Sequence, residues 1–166
     1  MGNKIKYFLG IVFFPISIIF LIGKFIIYKI KRKLFKKYLT YISVDKIDAL
    51  DGLEFEEFLL ALFISKGYKG VKTKKSHDYG ADLILTKKNI SIAVQCKLYY
   101  KHTVGNSAVQ EVATAKEYYN TNLAVVITNS VFTKPAIILA EKIGVELIDR
   151  NNLLKLIQDQ VFDLIK

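Results

Sequence analysis

Three polar residues, Asp82, Gln95 and Lys97, occur at spacings that would bring them together on a β-hairpin. Residues 81–86 and 90–97 have the composition of two strands joined by a tight turn. If that turn has two residues, Asp82 lies directly opposite Gln95, and directly opposed residues share a face of the sheet. Side chains alternate along a strand, so Lys97 projects beside Gln95 from what we interpret as the polar face. A three-residue turn without a bulge would separate these side chains.

A carboxylate, an amide oxygen and an ammonium group on one surface suit hydrolysis of a phosphodiester. Asp82, the Gln95 side-chain oxygen and the Cys96 carbonyl oxygen are ligands of the kind that Mg²⁺ prefers. A bound metal lowers the pKa of a water molecule and neutralises charge on a phosphate. Lys97 can orient that water or stabilise the charged transition state. Asp82 taken alone has another explanation, a carboxylate at a strand end that bonds to a turn.

Glu56 is a further candidate because of its place on the preceding helix. Glu54 and Glu57 fall on one face, whereas Glu56 shares a stripe with Leu60 and Phe63. A carboxylate on an apolar stripe is costly unless it is paired or bound to a metal. We therefore expect Glu56 to contact the metal directly or to support its ligands.

Other polar residues near these segments have an ordinary structural explanation beside a functional one. Cys96 should face the apolar side of its strand as a buried, inert thiol. Gln110 could face the site, although a capping role at the start of its helix also explains it. Residues 99–102 could stack on bases or form a solvated loop. His77 could be a catalytic base or an exposed residue, and Asp78 could approach the metal or form a turn. Three lysines could contact a DNA backbone or belong to an ordinary polar turn: Lys72, Lys74 and Lys75.

The order of elements predicted around these residues is αβββαβαβα. Apolar periodicity and turn residues define these elements. Gly67 should end the first helix, Ser107 and Gln110 should form a capping box, Thr133 should cap the third helix, and Asn151 or Asn152 the last. The predicted helices span 52–66, 107–119, 133–143 and 151–164, and the predicted strands span 69–73, 81–86, 90–97, 123–128 and 145–148. This order is typical of an α/β fold with helices on a mixed central sheet.

The first forty residues differ in composition from the rest of the chain. They hold nine of its 25 Lys and Arg residues and none of its 15 acidic residues. Residues 5–28 are almost entirely apolar, and a spanning helix needs about 20 such residues. The basic cluster at 29–37 would place the C-terminal side in the cytoplasm and could also hold anionic headgroups. We therefore expect a single-pass anchor at residues 1–30, a basic linker at 31–48 and a folded domain at 49–166.

Three other readings of the apolar segment remain. A cleaved signal peptide would need a shorter apolar core and a cleavage site with small residues, and no such site follows. A buried core helix would not normally be apolar on all sides over this length, and an amphipathic surface helix would need a polar face. The basic cluster could likewise contact DNA, but setting the topology already explains it.

Composition limits the chemistry of the folded domain. A single Cys excludes an internal disulfide framework, and two His with one Cys are too few for an ordinary zinc site. The net charge of +10 belongs almost entirely to the N-terminal forty residues. The high pI therefore supports an interaction with the membrane and is only weak evidence for DNA binding.

The ordered set of motifs resembles the Mrr-like restriction endonucleases, a branch of the PD-(D/E)xK nucleases. The resemblance covers residues 50–157 and includes Phe55-Glu56, Gly80-Ala81-Asp82, Val94-Gln95-Cys96-Lys97 and Ile127-Thr128-Asn129. It implies a restriction-endonuclease-like core, with Asp82 as the main metal ligand and Lys97 as the catalytic lysine. It also implies that Glu56 is the helix glutamate and that Gln95 takes the place usually occupied by Glu. This replacement is common in this branch, and it removes one negative charge.

What the resemblance implies for function is a Mg²⁺-dependent endodeoxyribonuclease, with Mn²⁺ as an alternative metal, acting in restriction of foreign or modified DNA. With the predicted anchor, it would be held at the inner face of the cytoplasmic membrane. Cleavage of both strands usually needs two active sites, so a homodimer is a candidate assembly. The alternative is a catalytically inactive, membrane-bound module that binds DNA or assembles with partners through the same fold.

Overall fold

The computed structural model describes residues 17–27, 29–30, 33, 35, 44–73, 79–158 and 164. From residue 52 onward the predicted order of helices and strands is confirmed, and a short helix precedes them. From residue 44 onward the helices are α1 (Val44–Asp48), α2 (Gly52–Ser65), α3 (Asn106–Tyr118), α4 (Lys134–Ile143) and α5 (Arg150–Gln158). The strands are β1 (Lys69–Lys72), β2 (Leu83–Lys87), β3 (Ile90–Lys97), β4 (Leu123–Thr128) and β5 (Val145–Ile148).

The five strands form one mixed sheet in the order β1-β2-β3-β4-β5. β1, β2 and β3 are antiparallel neighbours, and β3, β4 and β5 are parallel. β2 and β3 can be antiparallel neighbours because only Lys88 and Asn89 join them, both with positive φ (49° and 65°) as a tight hairpin turn requires. The parallel pairs are connected through α3 and α4, as parallel strands require a crossover.

Two helix starts agree with the sequence. Asp51 caps α2 in a reciprocal capping box with Glu54, and Gly67 follows the helix with φ of 93°. The Thr133 side chain accepts a hydrogen bond from Ala136 N at the start of α4, and Gly144 ends that helix in the left-handed conformation. The starts and ends of these two helices depend on the chemistry of nearby residues, which is why the sequence predicts them well.

Two other predicted caps are wrong. α3 begins at Asn106 after an extended Gly105 that forms no side-chain cap, so Ser107 already lies inside the helix. The last helix begins at Arg150, and the Asp149 side chain, not Asn151 or Asn152, accepts from Asn152 N. A side-chain oxygen caps only when its own backbone stands just outside the helix, which is true of Asp149 here.

Apolar layers cover both faces of the sheet. One layer lies between the sheet and the helices α2 and α5, with Phe55, Leu59 and Leu156 among its members. The other lies beneath α3 and α4 and contains Ala93 and Val109. The strand face that we interpreted as polar is therefore covered by α3. Parallel strands are flanked by their own crossover helices, which leaves little of either face open to solvent.

The N-terminal anchor prediction falls mostly on residues outside the described part of the chain, namely 5–16 and 28. Residues 17–27 are helical, and several of their large apolar side chains are exposed. Within the described residues, no helix is both long enough and apolar enough to traverse a bilayer. Of the basic cluster at 29–37, only residues 29, 30, 33 and 35 are described.

Part of the predicted linker contacts the folded domain. Phe35 packs against Phe58 of α2 with ring centroids 6.3 Å apart, and Ile47 is buried in the adjacent apolar layer. Asp48 forms an ion pair with Arg150 at the start of α5. The short helix α1 is thus held to the domain by contacts that lie far apart in sequence.

Candidate active site

Asp82 stands at the point where the antiparallel ladder of β1, β2 and β3 ends. Leu83 pairs with Val94, so Asp82 falls opposite Gln95 as the two-residue turn predicts. The backbone of Asp82 is held from both sides, because its N–H donates to Val94 O at 2.8 Å and its carbonyl accepts from Thr73 N at 2.9 Å. The predicted register of this hairpin is confirmed.

The side chain of Asp82 is fixed by two short hydrogen bonds. Its Oδ2 accepts from Gln95 Nε2 and from the Cys96 backbone N–H, each at 2.7 Å. Bonds of this kind to a charged acceptor are stronger than bonds between neutral groups. The carboxylate therefore keeps one position, and the Gln95 amide is turned so that its nitrogen faces Asp82.

The side-chain oxygen of Gln95 is a candidate ligand for a metal ion. Gln95 is buried, and its Oε1 has no hydrogen-bond partner within the described structure. An unpaired buried acceptor costs roughly 1–3 kcal/mol. A hard cation would satisfy Oε1, and a carboxylate beside an amide oxygen suits Mg²⁺. Among the described residues, no group of three His, Cys, Asp or Glu side chains could hold a metal ion.

Lys97 lies on the same strand face as Gln95, and its ammonium group is engaged by α3. Its Nζ donates to Glu111 Oε2 at 2.7 Å, with both side chains partly buried. Glu111 is not among the site residues that the sequence predicted. Its position in the sequence could have indicated a role, because Glu111 interrupts an apolar stripe on its helix, as Glu56 does on α2. That stripe is formed by Ala108, Val112 and Ala115.

The loop before Asp82 rests on the same turn of α3. Gly80 has φ of 92°, and a Cβ at this position would lie 2.3 Å from the Glu111 carbonyl oxygen. Only glycine allows both this backbone conformation and this close approach. The backbone of Glu111 thus supports the segment that leads into Asp82, while its side chain holds Lys97.

Glu56, which was predicted to contact the metal or to support its ligands, forms an ion pair with a lysine of β1. Its carboxylate binds Lys72 Nζ at 2.8 Å on the α2 side of the sheet. This hydrogen bond is the main reason that the pKa of Lys72 is raised, although burial opposes it. Lys72, which could also have been a residue of an ordinary polar turn, lies in β1 as the partner of Glu56. A contact of Glu56 with a metal stays a prediction.

The Cys96 thiol is affected by two groups of charged residues, Asp82 with Lys97 and Glu56 with Lys72. Its side chain packs against the apolar layer beneath α2, as the strand alternation predicts. Burial raises the pKa of the thiol well above its usual value, and the negative charges of Asp82 and Glu56 raise it further. The thiol therefore stays protonated and is a poor nucleophile. Whether the Cys96 carbonyl oxygen binds a metal stays a prediction.

The remaining candidates are distributed around this centre. Gln110 is exposed on α3 and takes no part in a cap. Residues 99–102 form a loop directly after β3, with Tyr100 strongly exposed. His77 and Asp78, together with Lys74 and Lys75, lie outside the described residues. The structure thus brings Asp82, Gln95 and Lys97 to one strand end and adds Glu111.

Comparison with known proteins identifies the family. The model of the Mrr_cat family, described as a restriction endonuclease, matches residues 47–157. The chain belongs to the Mrr_cat restriction endonuclease family. The resemblance inferred from the motifs is thereby confirmed for the folded domain, which matches the restriction endonuclease model over residues 47–157. Restriction-endonuclease-like domains generally use divalent metal ions. None of the curated proteins matches the sequence.

Two solved structures agree with this chain at the level of the fold. The DNA modification-dependent restriction endonuclease AspBHI superposes with a TM-score of 0.56 at 17% identity, covering 75% of this chain and 35% of that chain. The protein of unknown function AF1548 superposes with a TM-score of 0.50 at 14% identity, covering 57% of this chain and 55% of that chain. The MspJI restriction endonuclease in complex with a 27-mer oligonucleotide has a TM-score of 0.44 at 18% identity, covering 80% of this chain and 31% of that chain. The chain therefore spans from about a third to about half of these solved chains.

Proposed function

We propose that this Mrr_cat domain is a Mg²⁺-dependent endodeoxyribonuclease whose active site is built from Asp82, Gln95 and Lys97. The observation that carries the proposal is the Gln95 side chain, which donates to Asp82 through Nε2 and leaves its buried Oε1 without a partner. Asp82 and the Gln95 oxygen would hold Mg²⁺, or Mn²⁺ in its place. The bound metal would supply a water of lowered pKa and a positive charge beside the phosphate.

Lys97 would contribute a positioned donor. Glu111 fixes its Nζ at the strand end, close to where Gln95 projects. A donor held in place before the reaction stabilises developing negative charge without the cost of reorganising at that moment. Asp82 is likewise held by two hydrogen bonds, so the protein side of this site is ordered before substrate binds.

A non-cleaving DNA-binding or assembly module on the same fold is the second candidate. It is favoured by the replacement of a carboxylate with the Gln95 amide and by the neutralisation of Lys97 by Glu111. The amide weakens attraction for a divalent cation relative to a site with two carboxylates, and the ion pair occupies the ammonium group that would otherwise act on the charged transition state.

Plasmid cleavage by the full chain separates these two candidates. Supercoiled DNA, methylated and unmethylated, is incubated with wild-type protein in Mg²⁺, in Mn²⁺ and in EDTA, beside Lys97→Ala. The nuclease proposal predicts nicked or linear product only with a divalent metal, and a large loss in Lys97→Ala. Folded wild-type protein that binds plasmid but cleaves none of these substrates would instead support the non-cleaving module.

The cellular role that we propose is restriction of foreign or modified DNA at the cytoplasmic membrane, with the nuclease domain in the cytoplasm. The support is the apolar, exposed surface of residues 17–27 and the run of basic residues after it. A variant lacking residues 1–40 should leave the membrane fraction and protect cells less well against injected DNA. Equal protection by both forms would refute tethering. Double-strand cleavage would further require two sites, so light scattering should show a homodimer on DNA.

A further inference from the structure

The loop at residues 99–102, here called the aromatic loop, begins two residues after Lys97. Because β3 and β4 are parallel, the segments that follow them lie at the same edge of the sheet. An isolated bridge between Val104 and Phe132 joins those two segments. The aromatic loop therefore follows the strand end that carries Lys97 of the proposed active site.

The backbone of the aromatic loop is fixed by the segment after β4. Asn129, which is buried, accepts from Tyr99 N at 2.8 Å and donates to Tyr99 O at 3.0 Å. The same amide donates to Asp48 Oδ1 at 2.9 Å, and Ser130 Oγ donates to His102 O. These bonds hold both ends of the loop, so its exposed side chains are presented by a fixed backbone.

The side chains of the loop are aromatic and basic, and all four residues are exposed. Tyr100 is 72% exposed, and Lys101 Nζ lies 5.2 Å from the centre of its ring. His102 meets Tyr99 edge-to-face with centroids 6.5 Å apart. Lys101 has φ of 61°, a left-handed conformation that is costly for a side chain of this type. Such strain in a well-anchored loop often marks a functional position.

We propose that the aromatic loop binds an unpaired nucleotide of the DNA substrate, with its base stacked on Tyr100 and its phosphate at Lys101. This inference rests on the proposed nuclease function and specifies the substrate. An aromatic face is open to any base, but bases inside a duplex are already covered on both faces by their neighbours. The loop therefore takes a base in a gap, at an end or displaced from the helix.

The test is DNA binding by the full chain with Ca²⁺ replacing Mg²⁺, so that affinity is measured without cleavage. Two probes are compared, a gapped duplex with 2-aminopurine in the gap and the same duplex fully paired. Stacking is worth about 1–3 kcal/mol per base, so Tyr100→Ala should bind the gapped probe roughly fivefold to a hundredfold more weakly. It should bind the paired probe as wild type does, and quenching of 2-aminopurine should be lost.

Tyr100→Phe keeps the ring and should behave as wild type. Lys101→Gln should weaken binding of the gapped probe, whereas Lys142→Gln, a matched loss of charge on α4, should not. Equal affinity of wild type and Tyr100→Ala for the gapped probe would overturn the loop proposal even if wild type cleaves DNA. Failure of wild type both to bind either probe and to cleave in Mg²⁺ would refute the nuclease function itself, and the loop proposal with it.

Discussion

The Lys97 ammonium group lies 2.7 Å from Glu111 Oε2, which ties the end of β3 to the middle of α3. Glu111 also supports Gly80 through its backbone. One turn of helix therefore positions both arms of the candidate site, the loop that leads into Asp82 and the strand that carries Lys97.

Replacing Glu111 with Gln should impair catalysis more than stability. Lys97 would lose its charged partner, and a reacting group misplaced by about 1 Å can cost about a hundredfold in rate. We expect the cleavage rate to fall roughly tenfold to a hundredfold, whereas the free energy of unfolding should change by less than about 1 kcal/mol because the ion pair is partly exposed. Single-turnover cleavage and urea unfolding measure the two effects. Glu117→Gln, an exposed change on the same helix, is the control, and equal rates in both variants would exclude a positioning role for Glu111.

Replacing Gln95 with Glu should make stability depend on the metal. The new carboxylate would face Asp82 Oδ2, where the Gln95 Nε2 now donates at 2.7 Å. Like charges at this distance repel, and a lost hydrogen bond to a charged group adds a cost of roughly 1–3 kcal/mol. In EDTA the variant should melt below wild type, and Mg²⁺ should raise its melting temperature more than that of wild type. Gln110→Glu is the matched control, and an identical Mg²⁺ shift in Gln95→Glu and wild type would argue against a metal at this position.

Replacing Gly80 with Ala should damage both the fold and the site. The added Cβ would lie 2.3 Å from the carbonyl oxygen of Glu111, at a backbone φ of 92°. Strained backbone and overpacking each cost roughly 1–3 kcal/mol. Urea unfolding should show a loss of this size, together with reduced cleavage. Gly52→Ala, where a Cβ meets no atom within 4 Å, should be neutral or mildly stabilising. A fully stable, fully active Gly80→Ala would contradict the close approach.

The ion pair of Asp48 with Arg150 should make stability depend on acid. The hydrogen bond from Arg150 lowers the pKa of Asp48 below its usual 3.8, and burial partly opposes this. A carboxylate with a lowered folded-state pKa stabilises the protein above its unfolded pKa, and this stability is lost as the pH falls through the folded pKa. Asp48→Asn should therefore be less stable at pH 7, by roughly 1–3 kcal/mol, and should lose less stability as the pH falls below the usual aspartate pKa of 3.8. Asp51→Asn, which keeps a helix cap, should retain the wild-type profile, and equal acid sensitivity of Asp48→Asn and wild type would rule out this ion pair as the source.

The hairpin was predictable from sequence because its geometry is local. A two-residue turn at Lys88 and Asn89 fixes the register, and the register alone places Asp82 opposite Gln95. The partner of Lys97 was not predictable in this way. Glu111 reaches it only because α3 covers a strand face that alternation had suggested was polar, and which helix covers which face is a tertiary property.

Helix α1 was not predictable from the sequence for a related reason. It has only five residues, too few to be stable by local propensity. Its contacts come from the buried Ile47 and from Asp48, whose hydrogen bond to Arg150 joins residues 102 positions apart. The cap of α5 was missed because two Asn residues stood near the predicted start, whereas the backbone leaves Asp149 outside the helix.

The most direct test of the central claim is cleavage of supercoiled plasmid in Mg²⁺ by the full chain, comparing wild type with Asp82→Asn. Asparagine can still accept from Gln95 and Cys96, so the fold should persist while the charge that would hold the metal is lost. Asp51→Asn removes the same charge from an exposed helix cap and serves as the control. We expect cleavage by wild type and Asp51→Asn, and a loss of at least about a hundredfold in Asp82→Asn. Cleavage by a folded Asp82→Asn at the wild-type rate would contradict the assignment of Asp82 to the active site.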